Sequence, residues 1–428
     1  MIPSARVAAA LEILDDIARA DAPADAIISN WNRTHRFAGS KDKRAIRELV
    51  YRDLRKGAQY RWLSGLVGGD PTSPRARMIM ASEQEGAGTA VARFDGSQYG
   101  PPVLSEAELA QVAKLHDMST GKAPDWVTCD CPEELYGLLA SQWPQSVVEE
   151  FQALNERAPV DLRVNTMRVN VDEARAALAE AEYEVVPTSF SPIGLRGSEH
   201  TNFSTLTPFR KGLIDPQDES SQLVSLLVDA RPEMKVIDLC AGAGGKSLSL
   251  SAMMENKGEI VSCDTLMSRL SRMEPRRARL GADNIRVQAV EDGEIPEGME
   301  GWADRVLVDA PCTGSGTWRR SPELRWRTGL DDIETYAETQ TALLATAAQM
   351  VKPGGRLIYA VCSIFNAEGR DIARGFEETN PSFSRVPVAD ALGSELANRL
   401  NAYLELVLTP HRHRTDGMYA VIFERGLI

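Results

Sequence analysis

The sequence predicts a multidomain protein with an all-α amino-terminal domain, a small α+β module and a carboxyl-terminal α/β domain built on a doubly wound parallel sheet. Three observations support this prediction. At 428 residues the chain is too long for one ordinary domain. Apolar residues recur at helical spacing over about the first 65 residues. From residue 235 onward, short apolar runs alternate with helical stretches, which is typical of a parallel sheet covered on both faces.

The amino-terminal domain is predicted over residues 1–130. Apolar residues such as Val7 and Leu14 share one face of a first helix, and residues 41–63 form a second amphipathic stretch. Gly, Ser and Gln are frequent over 83–102, which predicts a flexible insertion in this domain.

The module is predicted over residues 131–225 and begins with linker helices. Residues 159–169 predict a strand, 170–184 a capped helix and 185–197 more extended chain. This β-α-β rhythm indicates a separate small α+β fold.

The last domain, over residues 226–428, is predicted to contain five parallel strands followed by a closing antiparallel hairpin. The apolar runs that mark these strands are 235–240, 258–264, 285–290, 304–312, 355–363, 403–410 and 417–425. Ligands bind beyond the carboxyl ends of parallel strands, so the residues that close these runs are the candidates for a functional site.

The net charge of −13 weighs against a polyanionic partner, but the charge is unevenly distributed. Residues 31–61 contain ten Lys or Arg and three acids. Residues 269–286 contain six Arg and two acids, and residues 319–327 contain four Arg and one acid. Solvated helix faces explain any one of these patches equally well. Three patches together, one of them beside a candidate site, indicate a polyanionic partner.

The six cysteines are too few for a disulfide scaffold, and no signal peptide precedes them. We therefore expect the protein in a reducing cytoplasm. Cys129 and Cys131 lack further ligands at metal-binding spacing, so no metal site is expected. No apolar run approaches the roughly 18 residues needed to span a bilayer, so no membrane partner is expected.

The first strand of the last domain ends in a glycine-rich turn, the usual ligand cradle of such sheets. A phosphate-binding P-loop would need glycine at Cys240, and a dinucleotide fingerprint would need glycine at Ser247. S-adenosylmethionine carries no phosphate and needs only close backbone approach and a carboxylate for its ribose. The turn therefore predicts an S-adenosylmethionine site formed by Cys240, Ala241, Gly242, Ala243, Gly244, Gly245 and Lys246.

Two acids are placed to complete the cofactor site. Asp264 closes the second strand, 19 residues after Gly245, where a ribose-binding carboxylate is expected. The same residue is also suited to cap the helix that follows. Asp292 follows the third strand and is predicted to meet the adenine amino group.

Two cysteines close neighbouring strands of the predicted sheet. Cys312 ends an Asp-Ala-Pro-Cys turn that begins at Asp309, and Cys362 follows the next strand. A free cysteine most often behaves as a small buried hydrophobe, which is expected of Cys240 and Cys263. Cys312 and Cys362 instead face the ligand-binding edge, where their sulfur atoms would flank one cleft.

A thiol beside a methyl donor has one good chemical use. Carbon 5 of a pyrimidine is a poor nucleophile until a thiolate adds to carbon 6. An acid such as Asp309 at ring nitrogen 3 would favour this attack, and a second group such as Cys312 would assist release of the enzyme's thiol. The residues therefore predict methylation of pyrimidine carbon 5.

The motifs DLCAGAGGKS, DAPCTGSGTWRRSPELRW and YAVCS resemble those of the RNA (cytosine-5)-methyltransferases, the RsmB/NOP/Fmu family. The resemblance covers nearly the whole chain and is closest to the bacterial enzymes that act on 16S ribosomal RNA. It implies that the helical domain is NusB-like, the module RRM-like and the last domain a Rossmann-like class I methyltransferase domain. The family's Asp-Pro-Gln-Asp element stands at 215–218.

The resemblance also implies roles for individual residues. Cys362 would be the nucleophile, Cys312 would help to release the product, and Asp309 would contact the base and the cofactor. Two residues depart from the family's usual motifs, since Ala243 stands in place of proline and Val361 in place of threonine.

The expected partner is RNA, in particular small-subunit ribosomal RNA or its precursor, with the arginines of 269–286 and 319–327 gripping its backbone. The same chemistry on tRNA is one alternative, and a non-catalytic RNA-binding assembly factor is another. A small-molecule methyltransferase would explain neither the paired cysteines nor the two preceding modules. We expect a monomer, the default for an enzyme that embraces a large RNA.

Overall fold

The chain folds into two compact units in the computed structural model, which describes residues 1–118, 121–197, 202–291 and 294–427. The first unit comprises Met1–Asn155 together with Trp318–Gly329. The second unit comprises Glu156–Thr317 together with Leu330–Ile428. Within the described ranges, no helix is both long and apolar enough to cross a membrane.

Most of the helices are short. In chain order they are α1 (Pro3–Arg19), α2 (Ala24–Thr34), α3 (Ser40–Arg55), α4 (Gly57–Val67), α5 (Pro74–Glu85), α6 (Thr89–Arg93), α7 (Glu106–Asp117), α8 (Asp125–Thr128), α9 (Glu133–Gln142), α10 (Val147–Asn155), α11 (Val171–Glu180), α12 (Thr207–Arg210), α13 (Glu219–Leu227), α14 (Gly245–Met253), α15 (Met267–Leu270), α16 (Met273–Leu280), α17 (Leu324–Arg327), α18 (Leu330–Met350), α19 (Arg370–Thr379), α20 (Ala389–Leu392), α21 (Ser394–Arg399) and α22 (Pro410–His413).

The strands found within the described ranges all belong to the second unit. They are β1 (Val160–Val164), β2 (Val185–Pro187), β3 (Gly194–Gly197), β4 (Ile214–Pro216), β5 (Lys235–Asp238), β6 (Glu259–Asp264), β7 (Ile285–Ala289), β8 (Ala303–Asp309), β9 (Val351–Val361), β10 (Phe383–Arg385), β11 (Glu405–Leu408) and β12 (Met418–Arg425).

In the described residues of the first unit all regular secondary structure is helical, as predicted, and comprises α1–α10 and α17. The apolar face predicted for the first helix is buried, with Val7 and Leu14 in the core of the unit. The all-α class is therefore confirmed, whereas the NusB-like identity of this domain stays a prediction.

The flexible insertion predicted over 83–102 is wrong for part of that range. Thr89–Arg93 is helical, and Phe94 is buried after it. The carboxylate of Glu83 explains this order, because it accepts a hydrogen bond from the backbone N–H of Ala90 at 2.7 Å. A buried capping carboxylate thus stabilises a turn that composition alone assigns to a loop.

The second unit begins with the predicted α+β module. Its sheet has the order β2-β3-β1-β4, and every pairing in it is antiparallel. The predicted cap of α11 is present, because the side chains of Asn170 and Glu173 each accept the other's backbone N–H at 2.9 Å. Leu162, Leu178 and Leu195 form the core of the module.

The rest of the second unit is the predicted doubly wound sheet. Its order is β10-β12-β9-β8-β5-β6-β7, with β11 paired to β12. Strands β5 to β9 run parallel, whereas β11 and β12 form the predicted antiparallel hairpin. The chain order reverses between β5 and β8, and α/β sheets bind ligands at the carboxyl ends beside such a reversal.

The Trp318–Gly329 segment follows the loop after β8 but packs inside the helical unit. Trp318 stacks on Phe151 with the ring centroids 6.4 Å apart. The indole N–H of Trp326 donates to the carbonyl of Leu54 at 2.7 Å. A stretch from far along the chain therefore completes the core of the first unit.

Candidate active site

The carboxyl ends of four parallel strands bring the site together. Asp238, Asp264 and Asp309 are the last residues of β5, β6 and β8, and Cys362 directly follows β9. The glycine-rich turn follows β5, so it lies at the reversal of strand order. The edge of the sheet at which the sequence predicts a site is therefore the edge at which these side chains meet.

Two guanidinium groups hold the backbone of the glycine-rich turn. Arg276 on α16 donates to the carbonyl of Ala243 at 2.8 Å, and Arg163 on β1 donates to the carbonyl of Gly245 at 2.7 Å. Gly244 has a φ of +76°, and a Cβ there would lie 2.4 Å from a methionine side chain on α16. The turn therefore requires glycine at this position, and it is fixed from both the sheet domain and the α+β module.

Both guanidinium groups belong to a cluster around Asp215, a buried residue of β4. Arg276 lies 2.5 Å from the carboxylate of Asp215, Arg163 lies 3.7 Å from it, and Arg279 also bonds to it. Burial acts to raise the pKa of Asp215, but the neighbouring charges, Arg276 foremost, outweigh burial and lower it. Burial lowers the pKa of Arg163 to about 10. We call these four residues the Asp215 cluster.

Asp264 is buried beside the turn and links it to the loop before α15. Its carboxylate accepts the N–H of Gly242 at 3.0 Å and the N–H of Leu266 at 2.9 Å. Gly242 has a φ of +54°. A Cβ added to this residue would have no atom within 4 Å other than those of its chain neighbours, so this face of the backbone is open. An open backbone face beside a carboxylate fits a ribose-bearing ligand without phosphates. Asp292, predicted to meet the adenine, lies outside the described residues.

Lys246, in the first turn of α14, reaches across to β8. Its Nζ atom lies 2.5 Å from Oδ2 of Asp309. Burial acts to lower the pKa of Lys246, but the Asp309 carboxylate outweighs it, and the Cys362 side chain acts in the same direction, so the pKa is raised. Lys246 is therefore a cation paired with the Asp309 carboxylate.

The sulfur atoms of Cys312 and Cys362 lie 3.4 Å apart. The parallel pairing of β8 with β9 places their loops side by side, and the N–H of Gly316 donates to the carbonyl of Cys362 at 3.0 Å. The hydrogen bond with Cys362 and, next, burial raise the pKa of Cys312 well above its ordinary value. Cys312 is therefore a neutral thiol over the physiological pH range, in contact with the other sulfur.

Comparison with known proteins identifies the domain that carries this site. Residues 225–424 match the family model described as 16S rRNA methyltransferase RsmB/F. Residues 131–203 match the model of the RsmF/B-like ferredoxin-like domain. The methyltransferase domain of this chain belongs to the RsmB/F family. The RRM-like module expected from the sequence corresponds to the domain that the family describes as ferredoxin-like.

Two similar proteins match nearly the whole chain, and a third matches three quarters of it. A Synechocystis protein described as probable ribosomal RNA small subunit methyltransferase B is 28% identical, and the match covers 95% of this chain and 96% of that protein. The crystal structure of PH0851 has a TM-score of 0.80 at 27% identity and covers 99% of both chains. A methyltransferase homolog from Pyrococcus horikoshii has a TM-score of 0.58 at 25% identity, covering 75% of this chain and 100% of its own.

The RsmB/F domain has the Rossmann-like sheet of S-adenosylmethionine-dependent methyltransferases, and S-adenosylmethionine is its cofactor. The glycine-rich turn and Asp264 are suited to it, because they offer an open backbone face and one buried carboxylate.

Glu368 is a residue of the RsmB/F site that the sequence did not reveal. Its buried carboxylate accepts hydrogen bonds from the backbone N–H and the hydroxyl of Thr313, at 2.8 and 2.6 Å, and from the hydroxyl of Ser363. Thr313 follows Cys312, and Ser363 follows Cys362. One carboxylate therefore ties together the two loops that carry the thiols, although no local motif marks it.

Asp238 was also missed, although the rule that found Asp264 applies to it, since both are acids that end a strand. It is buried beneath the glycine-rich turn and accepts the Ser247 hydroxyl at 2.5 Å. Burial raises the pKa of Asp238 to about 6, although the Ser247 hydrogen bond opposes this.

Arginines in the segment after β8 were expected to bind a polyanion. Two of them instead donate hydrogen bonds to other groups of the helical unit. Arg325 is fully buried and donates to the carbonyl of Asp130 at 2.9 Å and to the side chain of Asn155. Arg327 donates to the carbonyl of Ile17 at 2.8 Å. The predicted polyanion contact is therefore wrong for Arg325, because its guanidinium has no exposed surface.

The 269–286 patch of the RsmB/F domain is divided between structural and exposed arginines. Arg276 and Arg279 belong to the Asp215 cluster, whereas Arg272 is exposed and the side chain of Arg269 is 56% exposed. Only part of this patch is therefore accessible to a partner.

Proposed function

We propose that this protein methylates carbon 5 of a cytosine in small-subunit ribosomal RNA through a covalent adduct between Cys362 and carbon 6 of the base. The observation that carries the proposal is the 3.4 Å approach of the Cys312 and Cys362 sulfur atoms beside the Lys246–Asp309 pair. Two thiols are not needed for direct methyl transfer to a nitrogen or an oxygen, whereas carbon-5 transfer needs a nucleophile on the ring.

The proposed cofactor contacts come from the turn and the strand ends. Residues 240–246 would hold the methionine part, Asp264 the ribose hydroxyls and Asp292 the adenine, with Asp309 near the methyl group. Bound S-adenosylmethionine supplies an electrophilic methyl group on a sulfonium. Arg163 and Arg276 keep the turn in place through the carbonyls of Gly245 and Ala243.

In the proposed mechanism, the Cys362 thiolate forms a bond to carbon 6, and the electron pair of the ring double bond moves to carbon 5, which takes the methyl group. Ring nitrogen 3 takes up a proton from solvent as the thiolate adds, and the resulting N3–H donates a hydrogen bond to the Asp309 carboxylate. The buried ammonium of Lys246 offsets the negative charge that the attack brings onto the ring.

Release of the product needs the carbon-5 proton to leave and the bond to the enzyme to break. Solvent water accepts the proton from carbon 5, and the electron pair of that C–H bond restores the ring double bond. The sulfur–carbon 6 bond breaks with its electron pair returning to Cys362 as a thiolate, and nitrogen 3 gives its proton back to solvent. Cys312 is proposed to assist this step, because it is a neutral thiol in contact with the Cys362 sulfur and can donate its S–H to it.

Ribosomal RNA as the substrate is supported by the names of the relatives and of the family. The target base must be unpaired or flipped out, since the thiol attacks the face of the ring. The helical unit and the ferredoxin-like module are proposed to add RNA-binding surface. The helical unit keeps Arg33, Arg36 and Arg44 exposed for this purpose.

The test compares Cys312→Ala and Cys362→Ala proteins incubated with cellular RNA and labelled S-adenosylmethionine. We expect a protein–RNA adduct to accumulate on a denaturing gel with Cys312→Ala and to be absent with Cys362→Ala. Bisulfite sequencing of RNA treated with wild-type protein then identifies the base and distinguishes ribosomal RNA from tRNA. The matched control is Cys263→Ala, which removes a buried thiol outside the cleft.

Equal adduct in both variants would contradict the assigned roles of the two cysteines. If wild-type protein binds S-adenosylmethionine but transfers no methyl group to any RNA, the catalytic proposal fails.

A further inference from the structure

A groove of about 540 Å³ lies at the β10–β11 edge of the sheet in the second unit. Its walls come from α19, β10, β11 and α22, and its charged lining is Arg370, Arg374, Arg385, Arg412 and Glu405. Asp371 and Glu377 also pair with two of these arginines from outside the lining, so four guanidinium groups meet three carboxylates and the groove keeps a net charge of +1 in a chain with a net charge of −13. The groove therefore concentrates positive charge that the protein as a whole does not carry.

The guanidinium groups in this groove are held in place by acids. Glu405 lies 2.6 Å from Arg370 and 3.8 Å from Arg385, so one carboxylate orients two arginines. Arg374 pairs with Asp371 at 2.8 Å, at the rim. Arg370 and Arg374 nevertheless keep 51% and 65% of their side chains exposed. Each guanidinium has five N–H donors, so a paired arginine still has donors for phosphate oxygens.

An aromatic ring stands beside these arginines. Tyr403 is 75% exposed, although its backbone is fixed by a hydrogen bond from the N–H of Val388 to its carbonyl at 2.7 Å. A large exposed ring on a fixed backbone loses little conformational entropy when a flat ligand stacks on it. Bases that are not stacked on one another are such ligands, and they occur in single strands.

The groove is continuous with the catalytic loops along the chain. Arg370 follows Glu368, which ties the two thiol loops together, by two residues, a span of at most about 7 Å. On the other side, the segment after α22 reaches Gly417, whose N–H donates to the carbonyl of Gly316 at 2.8 Å. A polymer bound at the thiols is therefore within reach of this groove.

We propose that the groove binds a single-stranded stretch of RNA next to the target base, with Tyr403 stacking on one base and Arg370 and Arg374 contacting phosphates. The identity of the nucleic acid rests on the proposed function. The stacking ring favours a nucleic acid over an acidic protein segment, which would use the charges alone.

The test measures binding of a fluorescein-labelled oligocytidine RNA of about 12 nucleotides to the full chain by anisotropy. S-adenosylhomocysteine is present so that no turnover occurs. We expect Tyr403→Ala to weaken binding about tenfold and Tyr403→Phe, which keeps the ring, to bind like wild type. Arg374→Gln should reduce the slope of log affinity against log salt by about 0.7.

Arg231→Gln is the matched control for Arg374→Gln. Arg231 is 64% exposed and pairs with Asp229 at 3.0 Å, but it precedes β5, a central strand of the sheet, and does not line the groove. The Arg231→Gln protein should bind the oligonucleotide with the affinity of wild type and with the same slope of log affinity against log salt. The melting temperature of each variant verifies folding.

Equal affinity of Tyr403→Ala and wild type would overturn the inference. So would a loss in Tyr403→Phe as large as in Tyr403→Ala, or a loss confined to the arginine variants, which would indicate an acidic protein partner. Methyl transfer to ribosomal RNA is measured in parallel. If wild type transfers no methyl group but Tyr403→Ala still loses affinity, the proposed function fails and the groove assignment stands.

Discussion

The carboxylate of Glu368 accepts two hydrogen bonds from Thr313, one from its backbone N–H at 2.8 Å and one from its hydroxyl at 2.6 Å. The same carboxylate accepts the hydroxyl of Ser363. The spacing of the two cysteine loops therefore depends on a side chain that touches neither thiol.

Glu368→Ala should destabilise the protein by about 3 kcal/mol, because it leaves several buried donors without an acceptor. Methyl transfer should fall at least about tenfold, because the loops that carry Cys312 and Cys362 lose their common anchor. Urea unfolding and initial rates of methyl transfer measure the two effects. Glu378→Ala, an exposed change on α19, serves as the control. Unchanged rates in Glu368→Ala would show that the loops are positioned by other contacts.

The Cys312 thiol should react faster when Cys362 is removed. Cys362 is the first cause of the raised pKa of Cys312, through their hydrogen bond, so Cys362→Ala should lower that pKa. Each unit of decrease raises the thiolate fraction about tenfold below the pKa. Iodoacetamide labelling at pH 8, followed by mass spectrometry, measures the rate at Cys312. Cys263, which is buried, should label equally slowly in both proteins. A slower reaction of Cys312 in the variant would contradict this prediction.

Asp238 should make folding less favourable as the pH rises. Its pKa is about 6 in the folded protein against 3.8 ordinarily, so the folded state holds the proton more tightly. The associated stability is present below about pH 4 and is lost as the pH rises through 6. Between about pH 5 and pH 7.5, wild type should lose roughly 1.4 kcal/mol through this group, and Asp238→Asn should not.

Urea unfolding of both proteins at the two pH values tests this difference. The exposed carboxylate variant Asp371→Asn should keep the pH dependence of wild type. If wild type and Asp238→Asn show the same pH dependence, Asp238 is charged in the folded protein over this whole pH range, and the prediction is wrong.

Arg276→Met should weaken S-adenosylmethionine binding about tenfold, because the charge-assisted hydrogen bond to the carbonyl of Ala243 is lost and the turn becomes mobile. Isothermal titration calorimetry measures the affinity. Arg272→Met is the control, since Arg272 is exposed immediately before α16. An equal loss in both variants would point to a general effect of charge and not to the turn.

Residues at strand ends were predictable for two reasons. The end of an apolar run in the sequence shows where a strand stops, and the parallel arrangement of the strands shows which strand ends are neighbours. The apolar runs that end at Asp264 and Asp309 predicted both the parallel sheet and the acids at its edge. The proximity of Cys312 and Cys362 follows from the same rule, given that β8 and β9 are neighbours.

Residues that act through long-range contacts were not predictable in this way. Glu368 has no pattern around it, and only the folded chain shows that it meets Thr313, 55 residues earlier. Arg325 was assigned to a polyanion because charge in a sequence does not reveal burial, and its partners Asp130 and Asn155 lie 195 and 170 residues earlier in the chain. Glu83 caused the opposite error. Its side chain orders the start of the 83–102 stretch, which composition alone predicted to be flexible.

The Trp318–Gly329 segment ties the folding of the helical unit to a late moment in protein synthesis. A ribosome that has released residues 1–155 has made nearly all of this unit, yet the partners of Phe151 and Leu54 in the segment are still to be translated. The nascent helices must wait for the chain to pass through β5, β6, β7 and β8 before their core is closed. The core of the amino-terminal half thus closes late in translation, despite its place at the start of the chain.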